Sequence, residues 1–145
     1  MRMDADIEID RQAGEVFDYI SNFENNPHWQ RGANEARFIT NPPLRNGSRF
    51  EQVADHRGRS IVTRFEVIDY EPGRSITIKS IESDIQTQVT RRVEPLGDRR
   101  TRVTADIQTE PAGMTRFLGP ILRRFAQQAV DADYQRLKEL LEQRL

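Results

Sequence analysis

Arg91 is the residue whose neighbours give it the most to do. It falls on the alternation Thr87, Val89, Arg91, Val93, and residues two apart in a strand share one face. The spacing predicts a guanidinium on the same side as two valines, with Arg92 turned to water. A charge placed there requires a partner: a carboxylate on a neighbouring strand, backbone carbonyls, or an oxygen of a bound molecule. In the last case Arg91 is the candidate for polarising a carbonyl or holding an anionic group, because a guanidinium keeps its charge and donates in a planar fork. A bulge that slips the register by one exposes it instead, and the sequence leaves both readings open.

Little else has the spacing of a reactive centre. His28 and His56 are far apart and neither belongs to a recognisable metal-ligand pattern, so no metal is expected. A Ser or Thr could meet one of them as nucleophile and base only in space, and nothing in the spacing prepares that. The chain has no cysteine, which removes disulfides and thiolate sites and favours a reducing, cytoplasmic setting. Its eight glycines sit mainly at turns and form no phosphate-cradling loop, so no cofactor is expected.

A net charge of -1 with 31% charged residues argues against a nucleic-acid binder. The basic runs (Arg91 with Arg92; Arg99, Arg100 and Arg102; Arg123 with Arg124) are short, scattered and read as solvated faces. No apolar run is long enough for a signal peptide or an integral membrane span. The length of 145 residues suits one domain over 1–145, with a real core and a monomeric or weakly homodimeric state.

The elements that must position Arg91 follow from periodicity. Ile7 and Ile9 alternate with Glu8 and Asp10 as in a half-buried strand, and Val16, Phe17 and Ile20 then fall at helical spacing. Residues 50–55 and 61–70 form a hairpin about the turn at His56, Arg57, Gly58 and Arg59, with Ile61, Thr63, Phe65 and Val67 on one face. Glu71, Pro72, Gly73 and Arg74 have the chemistry of a type II turn, and Ile76 and Ile78 open the next strand. A reversal at residues 96–99 joins two further strands. Finally Met114, Phe117, Leu118, Ile121, Leu122, Phe125, Ala129, Ala132, Leu137, Leu140 and Leu141 repeat at three and four residues, the apolar stripe of one long helix. Gly119 with Pro120 predicts a kink or a fresh start within it. Helices long enough to cover this stripe are lacking, so its partner is the concave face of a twisted antiparallel sheet.

The opening, residues 7–29, carries Ile7, Ile9, Val16, Phe17, Tyr19, Ile20, Asn22, Pro27 and Trp29 in an order that resembles the start of the polyketide cyclase/dehydrase and lipid-transport superfamily. These are the START-type or pollen-allergen-like helix-grip proteins. The phrases EVIDYEPGR and VEPLGDRRTRVT extend the resemblance over almost the whole chain. It implies an α+β helix-grip: a curved antiparallel sheet of about seven strands wrapped on a long C-terminal helix, with two short helices between strands 1 and 2.

A curved sheet and a straight helix do not meet evenly, so this architecture is expected to leave an internal cavity. Its predicted walls are Phe50 and Gln52; Thr63 and Phe65; Ile76 and Ile78; Thr87, Val89 and Arg91; Met114, Phe117, Leu118, Ile121 and Phe125 of the helix; and Trp29, as floor or as anchor. Apolar walls with isolated polar points suit a small hydrophobic ligand; the same residues could equally fill a core. Three functions are expected from the fold and the resemblance. The first is binding of a lipid, polyketide-like compound or quinone for transport or sequestration. The second is an aromatase/cyclase or dehydratase-type enzyme using Arg91. The third is a protein-interaction module of the co-chaperone or ribosome-associated type, marked by exposed apolar residues on the long helix.

Overall fold

The computed structural model describes residues 1–110 and 119–144, apart from the side chain of His56. Seven strands form one antiparallel sheet in the order β1-β7-β6-β5-β4-β3-β2. They are β1 (Arg2–Ile9), β2 (Glu35–Phe38), β3 (Arg49–His56), β4 (Arg59–Glu71), β5 (Ser75–Ile81), β6 (Gln86–Gly97) and β7 (Arg100–Glu110). Two short helices, α1 (Ala13–Ser21) and α2 (Asn26–Trp29), carry the chain from edge strand β1 to the opposite edge β2, and α3 (Gly119–Gln143) closes the molecule. This is the helix-grip.

The turns follow from backbone chemistry. β3 and β4 are joined by Arg57 and Gly58, both at positive φ (50° and 77°), the two-residue connection whose twist matches that of paired strands. Gly73 (φ 78°) takes the third position of a turn closed by the Arg74 N–H donating to the Glu71 carbonyl at 2.9 Å, which only a residue free of Cβ adopts at no cost. A bulge between Val67 and Asp69 restores the inward phase at Tyr70, whose ring lies 6.2 Å from that of Phe17.

Alternation sorts the sheet into two faces. Inward residues Phe50, Phe65, Val67, Ile76, Ile78, Val89, Val93, Val103 and Ala105 are buried. Val16, Phe17 and Ile20 of α1 and Phe23 join them, with Phe23, Phe50 and Phe65 stacked at successive centroid distances of 4.2 and 5.1 Å. The outward face is laced by ion pairs such as Arg2–Asp106, Arg102–Asp6, Arg37–Glu51 and Arg64–Glu51.

α3 differs from expectation in its phase. Leu137 and Leu141 are buried as expected, but the rest of the inward ridge runs through Ala126, Val130 and Tyr134. Ile121 and Phe125 are 57% and 65% exposed, and Ala129 and Ala132 also face solvent. Two apolar ridges lie side by side on this helix, and residue type alone does not say which one the sheet takes. The described part of the helix runs from Gly119 to Gln143, with Pro120 at its start. Met114, Phe117 and Leu118 lie outside the described residues.

Candidate functional site

The site is built from the middle of β6 upward. Val89 pairs with Ile78 and Ile107, and Arg91 with Ile76 and Ala105, in unbroken register. No bulge intervenes at this level, so Arg91 points inward and is only 5% exposed. Its Nε donates to Tyr134 Oη at 2.8 Å, and its Cζ stands 5.1 Å from the centroid of the Trp29 ring, a cation–π contact. Among the described residues no carboxylate forms an ion pair with it. Nη1 has no hydrogen-bond partner among the described residues.

Trp29 reaches this point because Pro27 opens the single turn α2, which carries the indole under α3. The ring meets Tyr134 edge-on at 5.0 Å, and its carbonyl accepts from Arg136 Nη1 at 2.8 Å. Trp29 is therefore both an anchor of α2 to α3 and a wall of the chamber beside it. That chamber measures about 170 Å³ and lies between the sheet and α3. Phe50, Phe65, Ile78, Val89, Ile107 and Val130 supply its apolar surface; Asn26, Gln30, Gln52, Thr87, Arg91, Asp133 and Tyr134 supply its polar points.

Of the residues expected on this wall, Trp29, Phe50, Gln52, Phe65, Ile78, Thr87, Val89 and Arg91 are brought together. Ile76 is buried in the neighbouring core and Thr63 is half-buried farther along β4; neither borders the chamber. Ile121 and Phe125 point away from it, for the reason of helix phase given above. Sequence reasoning missed Asn26, Gln30, Ile107, Val130, Asp133 and Tyr134. Val130, Tyr134 and Leu137 follow one another at four and three residues, the signal that would have found the ridge. Asn26 is 2% exposed and donates through Nδ2 to Gln52 Oε1 at 2.9 Å; nothing in its local sequence marks it.

Asp133 sits at the rim of the chamber, where burial pushes its carboxyl above the ordinary range despite the Arg31 N–H and Arg136, which oppose the shift. Its Oδ1 accepts from both, at 3.2 Å each. A second and larger hollow of about 650 Å³ lies between α1 and the 40–48 loop, lined by Asp18, Glu24, Phe38, Leu44 and Tyr70 among others. None of the buried side-chain atoms left without a partner among the described residues belongs to it; all three belong to residues of the smaller chamber.

The model of the polyketide cyclase/dehydrase and lipid transport family matches residues 1–142. The chain belongs to that family. Among solved structures, this family member is similar to a Thermus thermophilus protein (TM-score 0.81, 17% identity, 97% of each chain covered). It is also similar to a START superfamily protein from Mycobacterium smegmatis (0.79, 16%, covering 98% of this chain and 97% of that one). The Zhui aromatase/cyclase from a Streptomyces species aligns with a TM-score of 0.78 at 15% identity over 99% of this chain and 94% of that one. At such identities the likeness is one of fold. No functionally curated protein matches the sequence. No helix among the described residues is long and apolar enough to cross a membrane.

Proposed function

We propose that this polyketide cyclase/dehydrase and lipid transport family member binds a small, mainly apolar molecule in the chamber between the sheet and α3, with Arg91 as its polar anchor. The observation that carries this reading is a guanidinium buried to 5% exposure on an apolar wall, without a carboxylate partner among the described residues. Protein interiors do not keep such a charge without something to offset it. The family supplies the context of hydrophobic-ligand binding, and its transport or sequestration are uses that require no reacting group.

An aromatase/cyclase-type reaction is the second reading, and Arg91 supports it too. Its free Nη1 and the Trp29 indole N–H are two donors fixed beside one chamber, the arrangement that stabilises a developing oxyanion. Binding and reaction separate in one experiment. A panel of fatty acids, quinones, aromatic ketones and a linear poly-β-ketone, whose carbonyl and activated methylene can condense with loss of water, is titrated while Trp29 emission, melting temperature and the ligand's mass are followed. Binding raises the melting temperature by mass action and leaves the ligand unchanged; a mass loss of one water identifies a dehydrating cyclase. A panel without any response overturns both readings.

A further inference from the structure

Three buried side-chain atoms lack a hydrogen-bond partner among the described residues: Asn26 Oδ1, Trp29 Nε1 and Arg91 Nη1. All three residues line the same chamber of about 170 Å³, and they are only 2%, 1% and 5% exposed. Native proteins satisfy nearly all such groups, so three around one hollow form a template. The template has a sign. Two of the atoms are donors and one belongs to a cation, so they call for an acceptor with negative charge; the third is an acceptor and calls for a donor.

Size narrows the class further. An apolar cavity of roughly 150 Å³ holds one benzene ring, whereas drug-sized ligands occupy roughly 300–1,000 Å³. The volume of the chamber therefore matches a single ring and its substituents more closely than a fused polycycle or an acyl chain. Phe50, Phe65, Ile78, Val89 and Val130 give that ring its apolar bed. Asp133, the acid on the same wall, has its Oδ1 engaged by the Arg31 N–H and Arg136 and forms no ion pair with Arg91, so Arg91 faces the chamber as an unneutralised charge.

We infer that the ligand is a single-ring organic anion bearing a hydroxyl, of the hydroxybenzoate or acidic phenol class. Its anionic oxygen lies against Arg91 Nη1 and the Trp29 N–H, and its hydroxyl donates to Asn26 Oδ1. This inference rests on the proposed binding function, and names the ligand class for the same site.

The test is a matched series of 4-hydroxybenzoate, benzoate, benzyl alcohol, 2-naphthoate and decanoate. Each is titrated against wild-type protein by calorimetry and by the emission of Trp29, the single tryptophan of the chain. The expected order is 4-hydroxybenzoate above benzoate, with benzyl alcohol at least about tenfold weaker than benzoate, the loss of one charge-assisted contact; 2-naphthoate and decanoate stay unbound. Arg91→Met abolishes the preference for the anion while benzyl alcohol binding persists. If that variant fails to fold, the wild-type order still decides. Equal affinity for benzoate and benzyl alcohol, or tighter binding of 2-naphthoate or decanoate, overturns the inference and leaves the binding function standing. Silence from the whole series, with quinones or aromatic ketones still binding, does the same. A crystal soaked in 4-hydroxybenzoate that shows only ordered water on the three atoms overturns it as well. Silence from every compound, the wider panel included, removes both.

Discussion

Arg91 combines a buried charge with two weak protein partners, the Tyr134 hydroxyl and the Trp29 ring face. Replacing it by Met keeps most of the volume and removes the charge. The lost hydrogen bond to Tyr134 costs stability, while relief of an unpaired buried cation returns it. Arg91→Met should therefore change unfolding free energy by less than about 1 kcal/mol in the ligand-free protein, read by urea denaturation. A loss of several kcal/mol would mean that the guanidinium neutralises a carboxylate of the protein. Asp133 gives a prediction with the opposite logic. Its folded carboxyl holds its proton more tightly than the unfolded one, whose ordinary value is 3.8, because burial disfavours the ionised form. Its contribution to stability is thus greatest below 3.8 and is lost as pH rises through the folded value. Asp133→Asn retains an acceptor for the Arg31 N–H and removes that loss, so its melting temperature relative to wild type should climb as pH rises from about 4 toward neutrality. A difference that stays flat with pH would show that burial does not govern this group.

At the scale of elements, α3 does more than cover the sheet. It runs along edge strand β1, and its polar flank bonds backbone groups that have no strand partner. Arg123 donates to the Arg2 carbonyl, Lys138 to that of Glu8, and Gln127 bonds both backbone groups of Asp4. Glu142 accepts from the Asp10 N–H. An exposed edge is thereby closed against other chains. This sealing was not legible in the sequence, where the run of Arg123 with Arg124 reads as a solvated face. The strands were legible, because alternation and turn chemistry at Gly58 and Gly73 act locally. The helix was legible as a helix, but its phase was not: Ile121, Phe125, Ala129 and Ala132 form a ridge as apolar as the one that is buried. The consequence is measurable. Phe125→Ser should change stability by less than about 0.5 kcal/mol, as at an ordinary surface position. Leu137→Ala should cost about 2–5 kcal/mol through transfer and cavity terms. Denaturant midpoints for the two variants check this, and equal losses would contradict the assigned phase.

At the scale of the whole molecule, the fold makes a chamber because the sheet curves away from α3 while α1 and Phe23 fill one end with stacked aromatic rings. The sequence carried the general arrangement and eight of the chamber's lining residues, since strand alternation fixes which side chains share a face. It did not carry Asn26 or Tyr134, which reach the chamber through a single-turn helix and a helix phase set only by tertiary packing. Whether a ligand sits beneath α3 is decided by ligand-induced stabilisation of wild type compared with Val130→Phe. The larger side chain grows from the half-buried wall into the chamber. Melting temperatures are measured against increasing 4-hydroxybenzoate and against the fatty acid, quinone and aromatic ketone panel. The melting temperature of wild type should rise with ligand as mass action requires, and the rise should be lost in Val130→Phe. An equal rise in both proteins would place binding elsewhere, as in the hollow beside the 40–48 loop, and would contradict a ligand beneath α3.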